Sequence, residues 1–87
     1  MKKELIERSY QSVVNRGLIS KNTKFEEFID KFYEEVGELA IETPLGEGFE
    51  SELADILLVA YNIAHHYKID IEKALIEGIE KNERRAK

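Results

Sequence analysis

Cysteine is absent from this chain, which excludes a disulfide framework and a thiolate metal site and makes a reducing compartment the natural expectation. Long hydrophobic runs are missing as well. The longest uninterrupted apolar stretch, Ile56–Tyr61, falls far short of the ~20 residues that span a bilayer, and the opening MKKELIERSY has two lysines with no apolar run behind them. The expectation is a soluble, cytoplasmic protein with no membrane partner. Positive charge is not in excess either. A net charge of −5 argues against a nucleic-acid partner, although the basic KNERRAK segment could hold phosphates locally. The glycines of LGEGF lack the Lys-Ser/Thr that a phosphate loop needs. With 87 residues there is room for a single domain, residues 1–87, burying about 60–65% of the surface its unfolded chain would expose. No repeat, linker or low-complexity segment interrupts it.

What is present is helical periodicity. Apolar residues recur at three- and four-residue spacing with no sustained strand-like alternation, so an all-α fold of four helices is expected. The first, about 3–16, carries Leu5, Ile6, Val13 and Val14 and should end at Gly17, where a left-handed cap costs little. The second should start at Thr23, because Thr-Lys-Phe-Glu has the form of a capping box between Thr23 and Glu26. Its stripe runs through Phe25, Phe28, Ile29, Phe32, Val36, Leu39 and Ala40, and Pro44 forces a stop near Glu42. A third helix, about 50–67, follows TPLGEGF and is apolar on most sides between Leu53 and Ala64, which places it centrally or beneath a second subunit. Asp70 then caps a fourth helix whose inner face should be Ile71, Ala74, Leu75, Gly78 and Ile79.

Two acidic stretches, EEVGE at Glu34–Glu38 and ELAD at Glu52–Asp55, sit against this apolar pattern. At about 100° per residue, Lys31, Glu35, Glu38 and Glu42 line one edge of the second helix's stripe, and Glu34 points nearly opposite the core. Glu35 and Glu38 are three apart, so their Cβ atoms lie roughly 5–6 Å from each other, within reach of one cation. On the third helix Glu52, Asp55, Val59, Asn62 and His66 share an edge with apolar flanks. A Glu pair in a chain that is 36% charged is most often a solvated face. ELAD resists that reading, because an ionised carboxylate in apolar surroundings neutralises or finds a counter-charge. A helical hairpin through TPLGEGF would bring the two pairs face to face. Their repulsion, about 1–4 kcal/mol per contact at the dielectrics of water and protein surfaces, calls for a positive charge between them. Lys31 can supply one, and an oxygen-only donor set suits a hard cation such as Mg²⁺ or Mn²⁺.

Other metal chemistry fails on spacing. A di-iron bundle needs Glu-x-x-His, and the residues three before His65 and His66 are Asn62 and Ile63. Adjacent histidines on a helix point about 100° apart, which disfavours a zinc pair. His65 and His66 are expected to be structural or surface groups.

These residues resemble the MazG family of all-α nucleoside triphosphate pyrophosphohydrolases, whose signature is EExxE, a short gap, then ExxD. Here it reads Glu34-Glu35-Val36-Gly37-Glu38, thirteen intervening residues, and Glu52-Leu53-Ala54-Asp55. The likeness extends from KFYEEVGELA through ELADILLVAYNIA to KIDIEKALIEGIEKNERR. The resemblance implies a four-helix bundle completed by assembly into a homodimer or homotetramer, with the base bound between subunits. It implies hydrolysis of a (d)NTP to the monophosphate and pyrophosphate, with Mg²⁺ (or Mn²⁺) held by Glu35, Glu38, Glu52 and Asp55. Glu34 would be an extra ligand or water-holder in the catalytic set, and Lys31, Lys81, Asn82 and Arg85 would bind substrate. One departure stands out: the family's Lys-x-x-x-Asn has Gly78 at its Lys position, so Lys81 or Arg84 would have to act from another turn. The related phosphoribosyl-ATP pyrophosphohydrolase is an alternative, and so is a non-catalytic oligomeric helical adaptor whose acidic edge is a salt-bridged surface.

Overall fold

The structure, a computed structural model, describes residues 3–85, so the last two residues of KNERRAK lie outside the described residues. Four helices follow in order, α1 (Lys3–Asn15), α2 (Phe25–Ala40), α3 (Phe49–His66) and α4 (Ile71–Arg85). Among the described residues there is no strand, and no helix is long and apolar enough to cross a membrane. The architecture is all-α.

Punctuation residues set the boundaries. Gly17 takes φ +76°, and the Gly17 and Leu18 N–H groups donate to the carbonyls of Val14 and Val13 at 2.9 and 3.2 Å, closing α1 with a left-handed cap. The start of α2 falls one residue later than the capping-box expectation. The Thr23 hydroxyl accepts instead from the Ser20 N–H at 2.8 Å, and it is Glu27 that reaches back to the Lys24 N–H at 2.7 Å. Lysine has no acceptor to return the bond, so only half of a capping box forms. Between α2 and α3, the Gly46 N–H donates to Thr43 O at 2.7 Å in a turn through Pro44 and Leu45. A Cβ on Gly46 would lie 2.8 Å from that same oxygen, so the turn admits only glycine there. Leu45 sits at φ +63° with 90% of its surface exposed. Asp70 caps α4 as its sequence promised, accepting from the Lys73 N–H at 3.0 Å.

Helix α3 is central, packing against α2 on one side and α1 on the other. The core is small: Phe28, Val59 and Ala64 are its buried apolar residues, joined by the buried polar Glu35 and Asn62. His66 ties three segments together. The Tyr10 hydroxyl lies 2.8 Å from its Nδ1 and the Thr23 carbonyl 3.0 Å from its Nε2. A carbonyl can only accept, so Nε2 carries the proton. The Phe28 ring packs against it, 4.8 Å between centroids and tilted by 60°, and His66 is structural, as its spacing suggested.

The expected inner face of α4 is not an inner face within this chain. Ile71 is half-buried, but Ala74, Leu75, Gly78 and Ile79 are all exposed, and α4 makes no extended packing with the other helices. The radius of gyration is 14.6 Å, where a compact chain of this length has about 12 Å. Leu53, Leu57 and Leu58 of α3 are also more than 40% exposed.

Candidate metal centre and adjoining cleft

The α2–α3 hairpin brings the two acidic stretches together. Carboxylate oxygens of Glu35, Glu52 and Asp55 lie within 4.8 Å of one another, as do those of Glu34, Glu35 and Glu38. Glu35 belongs to both groups and is only 5% exposed. Its neighbours sit one turn away along α2 and directly across on α3, because a three-residue step on one helix and a hairpin between two helices both bring side chains to the same edge.

Lys31 answers part of the charge. Its Nζ lies 3.0 Å from Glu35 Oε1 and 3.5 Å from Glu34 Oε1. The hydrogen bond to Glu35 raises the Lys31 pKa above the ordinary lysine value, against the opposing effect of burial. Glu34 thus departs from the helical-wheel expectation. Although exposed, its long side chain turns back to Lys31 and joins the Glu35–Glu38 group.

One lysine does not satisfy the cluster. Glu35 Oε2 and Glu52 Oε2 are buried with no hydrogen-bond partner, a costly state for a carboxylate. Burial raises the Glu52 pKa above the usual carboxylate value, and a proton shared with Glu38 and the charges of Glu38, Asp55 and Glu35 push it the same way. Buried oxygens that lack donors, in a set without sulfur or nitrogen ligands, fit a hard divalent cation of the Mg²⁺ or Mn²⁺ type. Glu35, Glu52 and Asp55 could hold one together, and Glu38 reaches the same region through the group it shares with Glu35 and Glu34.

A cleft of about 650 Å³ opens beside the acidic centre, where the sequence pointed to a cavity between subunits. It arises because α1 and α2 both pack on α3 but stand apart from each other. Lys31, Glu35 and Asp55 lie at one end, and Ser9 and Asn62 line it further along. Asn62 had been placed on the right edge of α3 but given no role; its signal was a lone amide inside the apolar run ILLVAYNIA. Ser9 left no comparable trace. Lys81, Asn82 and Arg85 are exposed on α4 and line neither the cleft nor the acidic groups of their own chain.

Fold and site together define an all-α protein with an oxygen-only acidic centre on a helical hairpin. The family model of the MazG nucleotide pyrophosphohydrolase domain matches residues 23–87, and the chain belongs to that family. No curated protein and no solved structure matches the chain significantly. Helix α1 lies outside the matched residues.

Proposed function

We propose that the protein is a divalent-cation-dependent pyrophosphohydrolase that converts a nucleoside triphosphate, ribo or deoxy, to the monophosphate and pyrophosphate. The observation that carries this reading is the pair of buried, unpartnered oxygens on Glu35 and Glu52, in a cluster that a cation would satisfy. Family membership supports the reaction class. When bound, Mg²⁺ would neutralise the triphosphate and stabilise the departing pyrophosphate.

The chain's own groups divide the remaining work. Glu35, Glu38, Glu52 and Asp55 would hold the metal, with Glu35 common to the two acidic groups. Glu34, at the exposed rim, holds the attacking water and takes up its proton as the water approaches the α-phosphorus in line with the leaving group. Lys31, which spans Glu35 and Glu34, would be free to pair with the phosphates where a cation took its place on those carboxylates.

The catalytic unit is a homodimer or homotetramer. Three features support this: the small core, the exposed Leu53, Leu57 and Leu58 of α3, and the uncovered stripe of α4. Lys81, Asn82 and Arg85 then reach the phosphates of a neighbouring copy, since α4 does not return to its own acidic centre. The test is chromatography of products from a panel of nucleoside triphosphates with Mg²⁺ or Mn²⁺. Monophosphate and pyrophosphate are expected; diphosphate with orthophosphate would overturn the assignment.

A further inference from the structure

The buried amide of Asn62 is not used by any group described so far. Asn62 is 7% exposed, and its Oδ1 accepts a hydrogen bond from the Ser9 hydroxyl at 2.8 Å. That bond occupies Oδ1 and leaves Nδ2 as the end of the amide able to donate. Nδ2 is not among the buried side-chain atoms left without a partner, so it keeps access to the cleft that Asn62 lines together with Glu35 and Asp55.

Position narrows what Nδ2 can meet there. Asn62 follows Asp55 by seven residues on one helix, about 10.5 Å along α3. Phe28, Leu58 and Val59 give the cleft an apolar lining, a surface suited to a sugar and the faces of a flat ring. A triphosphate anchored at the acidic end would project its nucleoside along this surface and bring the outer edge of the base to Asn62.

Resting on the pyrophosphohydrolase reading, we propose that Asn62, oriented by Ser9, reads the base: it donates to a carbonyl at position 4 of a pyrimidine or position 6 of a purine, and so selects keto bases over amino bases. The Ser9 hydroxyl, by donating to Oδ1, fixes which end of the amide faces the cleft. Uracil, thymine and guanine offer an acceptor at that edge, whereas cytosine and adenine offer an amino group that meets Nδ2 donor to donor. Because α1 lies outside the family match, the Ser9 half of this reader is a feature of this chain rather than of the matched domain.

The experiment compares kcat/KM for UTP against CTP and for GTP against ATP, in the parent, Asn62→Ala, Asn62→Asp and Ser9→Ala. The parent should favour the keto member of each pair by about tenfold, the effect of one hydrogen bond gained and one donor clash avoided. Asn62→Ala should bring both ratios to about one, and Asn62→Asp, whose oxygens only accept, should invert them. Ser9→Ala, which leaves Asn62 in place but lets its amide turn over, should reduce the ratios. A parent ratio near one, or a parent-like ratio in both Asn62 variants, overturns the proposal and leaves the pair as a clasp between α1 and α3. If Asn62→Ala fails to fold, the Ser9→Ala ratios decide. Should the parent hydrolyse no triphosphate at all, the pyrophosphohydrolase reading fails by itself. Equilibrium titration with UMP and CMP then decides the base reading: a keto preference lost in Ser9→Ala supports it, and equal binding of the two by the parent overturns it.

Discussion

The α2–α3 hairpin and helix α4 are written in the same style, with apolar residues at helical spacing among Glu and Lys, yet they end in opposite states. The hairpin buries Phe28, Glu35, Val59 and Asn62, while α4 buries nothing. The difference lies in what each face can reach. Eight residues join α2 to α3 and fold them onto each other, whereas α4 leaves the end of α3 without turning back along it. Amphipathicity specifies that a face must be covered but not by which chain. A helix of 15 residues without extended packing on its own chain is marginal in water, so the hairpin draws its stability from its own chain, and the proposed assembly would supply what α4 lacks.

The largest expected effect tests that division. Charging the α4 stripe with Leu75→Glu and Ile79→Glu together should dissociate the assembly and lower activity more than a hundredfold, about 2.7 kcal/mol in transition-state terms. Light scattering and turnover measured on the same sample check it. An unchanged mass with unchanged activity would mean that α4 is an ornament on a self-sufficient hairpin.

The hairpin itself is probed by Glu35→Gln, which removes the charge common to both acidic groups with little change of shape. Activity should fall at least tenfold, about 1.4 kcal/mol. The stabilisation conferred by Mg²⁺, about 2.7 kcal/mol when the metal stands at a hundred times its Kd, should largely vanish. Melting curves with and without Mg²⁺ are the measurement. Strong metal-free destabilisation with an intact Mg²⁺ response would make the carboxylates structural partners of Lys31.

A smaller effect concerns pH. The folded state holds the Glu52 carboxyl above its ordinary pKa, through burial and the neighbouring Glu38, Asp55 and Glu35. Folding therefore favours the protonated form. The associated stability is fully present below the unfolded value, about 4.3 for Glu, and is lost as pH rises through the folded one. Without metal, the parent's melting temperature should decline with rising pH over that window more steeply than that of Glu52→Gln. Saturating Mg²⁺ should reverse the trend, since the ligands must be deprotonated to bind. Parallel profiles for parent and variant without metal would show that Glu52 is not strained.

The smallest effect is at the hairpin's tip. Leu45 occupies a left-handed conformation that disfavours a side chain by about 1–2 kcal/mol. Leu45→Gly should raise stability by up to about 1 kcal/mol, the relief of strain less the added freedom of the unfolded chain. Thermal denaturation checks it. A loss of stability would place the exposed leucine against a partner copy and enlarge the assembly surface beyond α4.

Much of this arrangement was legible in the residues. Gly17, Pro44 and Asp70 punctuate the helices strongly enough that the boundaries fell within two residues of the expected ones. The face-to-face acids followed from a three-residue step and a short connection. Glu34 escaped because a helical wheel treats side chains as spokes, whereas a glutamate is long enough to bend toward Lys31. The capping box slipped because the Thr23 hydroxyl had a competing donor in the Ser20 N–H. The fate of α4 lay beyond periodicity altogether, since its cover is not supplied by α1, α2 or α3. The Ser9–Asn62 pair joins residues 53 apart, a distance across which sequence spacing carries no geometry.

The tether at His66 has a further consequence, in the order of folding. Tyr10 and His66 are 56 residues apart in the chain, while α2 and α3 are neighbours. Closing the longer loop costs more entropy and delivers few contacts in return, so the hairpin and its acids should assemble first and α1 should dock last. The same asymmetry operates in the native state: of the two helices packed on α3, α1 buries no residue whereas α2 buries Phe28 and Glu35, so α1 opens more readily. Each opening of α1 removes the outer wall of the cleft while leaving the carboxylates of α2 and α3 in place. On the proposed function, the protein would then lose its grip on a nucleoside without losing its metal, and the amides of α1 should exchange with solvent hydrogen well before those of α3.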